Sequence, residues 1–160
     1  MTINNLSWGT GVPIVFPATQ DASTDVNTLD DYEEGTWTMG LSFGHGTTGI
    51  TYAANTGTYT KIGNLVSCVG YLSLNSKGSS TGPARITGLP FTVGASEAHY
   101  ATGSVDVANV TFADQMSCYV NINSTEILLN ERTNLGVTTD IDNTDFAINS
   151  YIIMGITYIV

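Results

Sequence analysis

Asp30, Asp31, Glu33 and Glu34 put four carboxyl groups into five residues, and paired carboxylates are the working groups of glycoside hydrolysis. That chemistry needs two of them to flank one bond, ~5–9 Å apart. Neighbours in an extended chain point to opposite sides, so this run reads as a solvated hinge. A second acidic set, Asp140, Asp142 and Asp145, lies in TDIDNTD. Alternating carboxylates can cage Ca²⁺, but the EF-hand template fails: its turn-glycine position holds Asp145, and no Glu follows at the required place. A solvated acidic loop before the last strand is the expectation. KGSSTG (77–82) has the wrong order for a phosphate loop and no helix after it. GASEA (94–98) lacks the second glycine of a nucleophile elbow, and His45 and His99 have no evident triad partners.

Cys68 and Cys118 are the only cysteines, each inside an apolar strand-like run. Two buried thiols are expected. A disulfide stays open, since sequence does not set their separation, while no CxxC or nearby His favours a metal. No catalytic residue, cofactor site or metal site is therefore assigned. Flat sugar faces stack on aromatic rings, which makes Trp37, Tyr52, Tyr59 and Tyr71 possible glycan contacts. All sit in strand-like segments, so packing in the core or between subunits is the favoured reading.

The elements that must position these residues are strands. The chain has 160 residues, 42% hydrophobic and 11% charged, which suits one globular domain. Four bases face fourteen acids, for a net charge of −10. That balance repels phosphate backbones and anionic lipid, so nucleic-acid and membrane-surface roles are not expected. No apolar run reaches the ~20 residues of a spanning helix, and the first residues lack the pattern of a signal peptide.

Strand signals fall at Thr36–Phe43, Ile50–Ala54, Thr58–Ile62, Leu65–Leu74, Ala84–Thr87, Phe91–Val93, His99–Thr102, Ser104–Val107, Asn109–Phe112, Met116–Ile122, Glu126–Leu129 and Asn149–Val160. GHGTTG, NTG, GN, NSKGSSTG and NST separate them as turn chemistry. This predicts an all-β fold, an antiparallel jelly-roll-like β-sandwich over 36–160. Residues 1–35 form an extended N-terminal arm and acidic linker. The arm's apolar tip, Trp8 with Ile14, Val15 and Phe16, needs a surface to bury it. The run SYIIMGITYIV (150–160) carries no charge. It must lie centrally in a sheet or be sealed against another subunit, and with the arm tip it points to an oligomer.

The stretch FPATQDASTDVNTLDDYEEGTWT (16–38) resembles a segment of tail fibre, tailspike and other virion proteins of tailed bacteriophages. The likeness continues in TTGITY (47–52), TGTYTKIGN (56–64), KGSSTG (77–82) and ITGLPF (86–91), and Gly155-Ile156-Thr157-Tyr158 is similar to the closing strand. The resemblance implies a homotrimeric β-sandwich module on the particle exterior, with itself and other virion proteins as partners, and the lack of a plausible catalytic constellation makes a non-enzymatic role the expectation. Only fifteen residues precede the Phe-Pro-Ala-Thr-Gln leader, so the short arm is expected to anchor the module. That leaves two alternatives open: a capsid decoration protein stabilising the head shell, and a carbohydrate-binding module for a host surface glycan.

Overall fold

The computed structural model describes residues 24–25, 28–29 and 31–160. Trp8, Ile14, Val15, Phe16 and the arm they belong to lie outside the described residues, as does Asp30.

The strands are β1 (Tyr32–Trp37), β2 (Gly40–Phe43), β3 (Ile50–Ile62), β4 (Leu65–Lys77), β5 (Ala84–Thr87), β6 (Ala101–Val110), β7 (Gln115–Val120), β8 (Ile127–Arg132), β9 (Thr138–Asp140) and β10 (Phe146–Ile159). Among the described residues the helical content is one 3₁₀ turn at Glu97–His99. The fold is all-β and antiparallel, as expected. One sheet runs β1-β3-β4-β10-β6-β7-β8-β5-β2, with β9 attached to β8. It curls into a half-barrel whose wings face each other across a single apolar core, as the layers of a sandwich do.

The curl follows from connectivity. The first and last strands of the order, β1 and β2, are separated in sequence only by Thr38 and Met39. One nearly continuous run leaves one wing and enters the other, and fully buried Met39 sits at that corner. Tyr52 Oη accepts from Leu41 N at 2.9 Å, capping a backbone donor of β2. Phe43 of β2 meets Phe146 of β10 edge-on, ring centroids 5.2 Å apart.

Several boundaries differ from expectation. The linker expected to reach residue 35 ends earlier: Asp31 is buried and β1 begins at Tyr32. The two segments expected at 50–54 and 58–62 are one strand, because Gly57 serves packing rather than a turn. The three expected between 99 and 112 are largely one strand, β6, for a related reason. A Cβ at Gly103 would stand 2.5 Å from Gly155 O and 3.1 Å from Cys118 Sγ. Phe91–Val93 is no strand; this irregular segment closes one end of the core with Leu89 and Val93. The C-terminal run is the central strand β10, paired with β4 and β6. Its placement therefore answers its own burial demand and no longer argues for an oligomer.

Candidate functional site

Two Gly-Thr-aromatic tripeptides, Gly35-Thr36-Trp37 and Gly57-Thr58-Tyr59, lie antiparallel in register: Gly35 opposite Tyr59, Thr36 opposite Thr58, Trp37 opposite Gly57. Each large ring covers the glycine facing it. A Cβ on Gly57 would stand 2.1 Å from Trp37 Nε1, and one on Gly35 would stand 2.6 Å from Tyr59 Cε1. Gly57 is in turn paired with Gly70, whose own Cβ would meet Trp37 Cζ2 at 3.0 Å. The indole thus occupies a hole made by paired glycines. Trp37 is 5% exposed, and its Nε1 donates to Val69 O at 3.1 Å.

These placements bear on the glycan candidates. Trp37 is enclosed, and a ligand on this chain's surface cannot stack on it. Tyr59 packs edge-on against Phe91 at 5.3 Å, and Tyr52 holds β2; both are half-buried. Tyr71 faces outward on β4, 39% exposed, with Tyr151 beside it at 6.1 Å.

The acidic run is not simply solvated. Asp31 is 2% exposed and forms an ion pair with Lys61, itself 5% exposed, with Glu33 Oε1 3.9 Å from the same ammonium. The Lys61 ammonium also lies 5.5 Å from the centre of the Phe91 ring. Asp31 O accepts from Gly63 N at 2.9 Å in the turn joining β3 and β4. Asp31 therefore pins the start of the folded body, where charge alone suggested a hinge.

In the second acidic stretch each carboxylate answers a neighbour. Asp142 Oδ1 accepts from Thr144 N and Thr144 Oγ1, both at 2.6 Å; these bonds, the side-chain one foremost, hold its pKa below the usual carboxylate value. Asp145 Oδ2 accepts from Asp142 N at 2.8 Å, and Asp140 Oδ1 from Asn130 Nδ2 at 2.7 Å. Lys77 Nζ donates to Asn143 O and Phe146 O, each at 2.8 Å. The loop is a self-bonded turn. Cys68 and Cys118 are free and buried. Burial pushes the Cys68 thiol up to about 11, with a bond from Tyr158 opposing the shift, and moves Cys118 in the same direction. His45 Nδ1 lies 3.3 Å from Glu126 Oε2, a carboxylate also 3.9 Å from Arg85.

Two surfaces remain for recognition, and neither was found from the sequence. One is a cleft of about 780 Å³ at the β6–β7 junction. These strands pair only through Ala101–Gly103 and Cys118–Val120; beyond that β6 stays with β10 and β7 with β8. Tyr100, Tyr119, Gln115, Asn130, Arg132 and Ser104 line the resulting gap. They come from three strands and a loop, so no local motif announces them. The other is the outer face of β1, β3, β4, β10 and β6. Alternate residues of these strands make a grid of Thr and Ser interrupted by Val69 (56% exposed), Ile153 (48%) and Tyr71. Gly155 sits opposite Val69 and floors a shallow depression among them.

No protein-family model matches the sequence, and no curated protein matches it. Among solved structures, this fold is similar to part of the crystal structure of Dettilon tailspike protein (gp208). The match has a TM-score of 0.66 at 19% sequence identity and covers 79% of this chain. It spans 23% of that protein's own chain, and at this identity the likeness is one of fold.

Proposed function

We propose that the chain is a structural module of a bacteriophage virion. In this reading it is a non-enzymatic, homotrimeric spike or fibre domain on the particle exterior, joined to other virion proteins through its N-terminal arm. The observation that carries the reading is the fold likeness to a stretch of a tailspike protein. It joins a sequence resemblance two of whose stretches, ending in EGTWT and beginning with TGTYT, form the interlocked pair that closes β1 on β3. The arm tip, Trp8 with Ile14, Val15 and Phe16, is the anchor in this account. Antibody raised against residues 31–160 should label purified particles at the tail. Label on the head shell would favour a decoration protein instead, and particles free of the chain would overturn the proposal. Deleting residues 1–17 should abolish incorporation while the β body still folds.

A specific observation favours one second reading, recognition of a host glycan. The β6–β7 cleft combines exposed Tyr100 with amide and guanidinium donors, the side chains that bind hydroxyl-rich ligands. Binding of the chain to a glycan array, lost on Tyr100→Ala, would support it.

A further inference from the structure

We propose that copies of this chain meet through the outer face of β1, β3, β4, β10 and β6, with the depression over Gly155 receiving a side chain of the neighbouring copy. The inference rests on the homo-oligomeric reading above and specifies its contact surface.

The strand register lays this face out in rows. One reads Thr36, Thr58, Val69, Gly155, Ser104; the next reads Thr56, Tyr71, Ile153, Asp106. A third reads Glu34, Thr60, Ser67, Thr157, and beyond it Ile62, Leu65 and Ile159 lie side by side. Charge is confined to Glu34 on the edge strand β1 and Asp106 on β6. The centre is threonine, serine and exposed apolar side chains: Val69, Tyr71, Ile153, Ile62 at 45% and Leu65 at 42%.

Two arguments make a second copy the occupant. The first is charge. A chain of net charge −10 repels its own copies, and they approach most easily where carboxylates are sparse, as at the centre of this face, where Glu34 and Asp106 stand only on the flanking strands. The second is area. Five strands at ~4.8 Å spacing, over the Leu65–Ser73 length at ~3.3 Å per residue, give roughly 500–800 Å². A specific interface takes about 800 Å² from each partner. Two such faces together bury roughly 1,000–1,600 Å², which clears the lower bound of a specific interface without exceeding its usual size, and three can line a common axis.

Gly155 supplies the fit. An added Cβ there would meet nothing closer than Ser104 Oγ at 3.5 Å, so the strand itself does not require a glycine. The missing side chain leaves a depression lined by Val69, Tyr71, Ile153 and Thr58, which accepts a protruding residue.

The test is the mass of the full 160-residue chain by sedimentation velocity and native mass spectrometry, beside Val69→Lys/Ile153→Lys. Both positions are exposed, so the fold should persist, checked by circular dichroism and thermal unfolding. The expected result is a wild-type trimer and a folded double variant whose association is weakened roughly 100-fold or more. A trimeric wild type with an equally trimeric variant would overturn this face and leave the homotrimer standing. A wild type monomeric at high concentration would remove both.

Discussion

The inner and outer faces of β3, β4 and β10 come from alternate residues of the same strands, yet their glycine gaps are treated differently. Inside, the Gly57–Gly70 pair opens a hole that Trp37 of the neighbouring strand fills. Outside, Gly155 opens a depression that no side chain among the described residues fills. A glycine in a sheet centre leaves a void, and a void forfeits dispersion contacts unless something enters it. The inner gap is closed by the chain itself; the outer one is available to a partner. Substitutions should therefore be costly on one side and cheap on the other.

The largest effects belong to the inner face. Trp37→Ala should cost about 3–5 kcal/mol in urea unfolding, since it empties the glycine hole. Lys61→Met should cost a similar amount, about 3–5 kcal/mol, by leaving the Asp31 carboxylate buried without its cation. Adding Asp31→Leu should recover much of that loss, because both charges then go together. If Lys61→Met is nearly neutral, the pair is not the clasp that fixes the start of β1.

Gly57→Ala comes next. Its methyl must displace the indole, for about 1–3 kcal/mol. Combined with Trp37→Ala the two costs should not add, because the second change removes the clash created by the first.

Cys68 on the same inner face makes a pH-dependent contribution. Its ordinary thiol value is 9.0 and its folded value about 11. Stability should hold below pH 9 and fall as pH rises through about 11, as the buried thiol is forced to ionise. Urea midpoints across pH 8–11, compared with Cys68→Ala, would read this out. At neutral pH the native thiols should resist alkylation and react once unfolded.

Asp142 gives a smaller signal of opposite sign. Its lowered pKa makes a contribution that is present above its ordinary value of 3.8 and lost as pH falls through the lower folded value. A carboxyl NMR titration should show the shift, and Thr144→Ala should reduce it. Gly155→Ala should have the smallest effect on the folded subunit, within about 0.5 kcal/mol. A large loss there would break the distinction between the two faces.

The ends of the described chain show how far composition alone reaches. The acids before Trp37 pointed to solvent, yet the partner of Asp31 lies on β3, thirty positions away. The uncharged C-terminal run raised a correct demand for burial, but only the pairing with β4 and β6 showed that the chain meets it internally. Short strands were readable where turns flank them, as in Ala84–Thr87. They were cut too early wherever a glycine served a ring or a close backbone, as at Gly57 and Gly103.

Sequence by itself determined the class of the fold. Abundant Thr, Val, Ile and Tyr with Gly and Asn turns admits little besides an antiparallel sheet, because those preferences are local to each strand. Tertiary structure decided which glycines are turns and which are sockets, that Trp37 and Tyr59 are packing rings, that β6 and β7 splay into a cleft, and that one face keeps its charge to the outer strands β1 and β6. Each of these depends on residues brought together from distant strands, and register between such strands is set by the closed sheet as a whole.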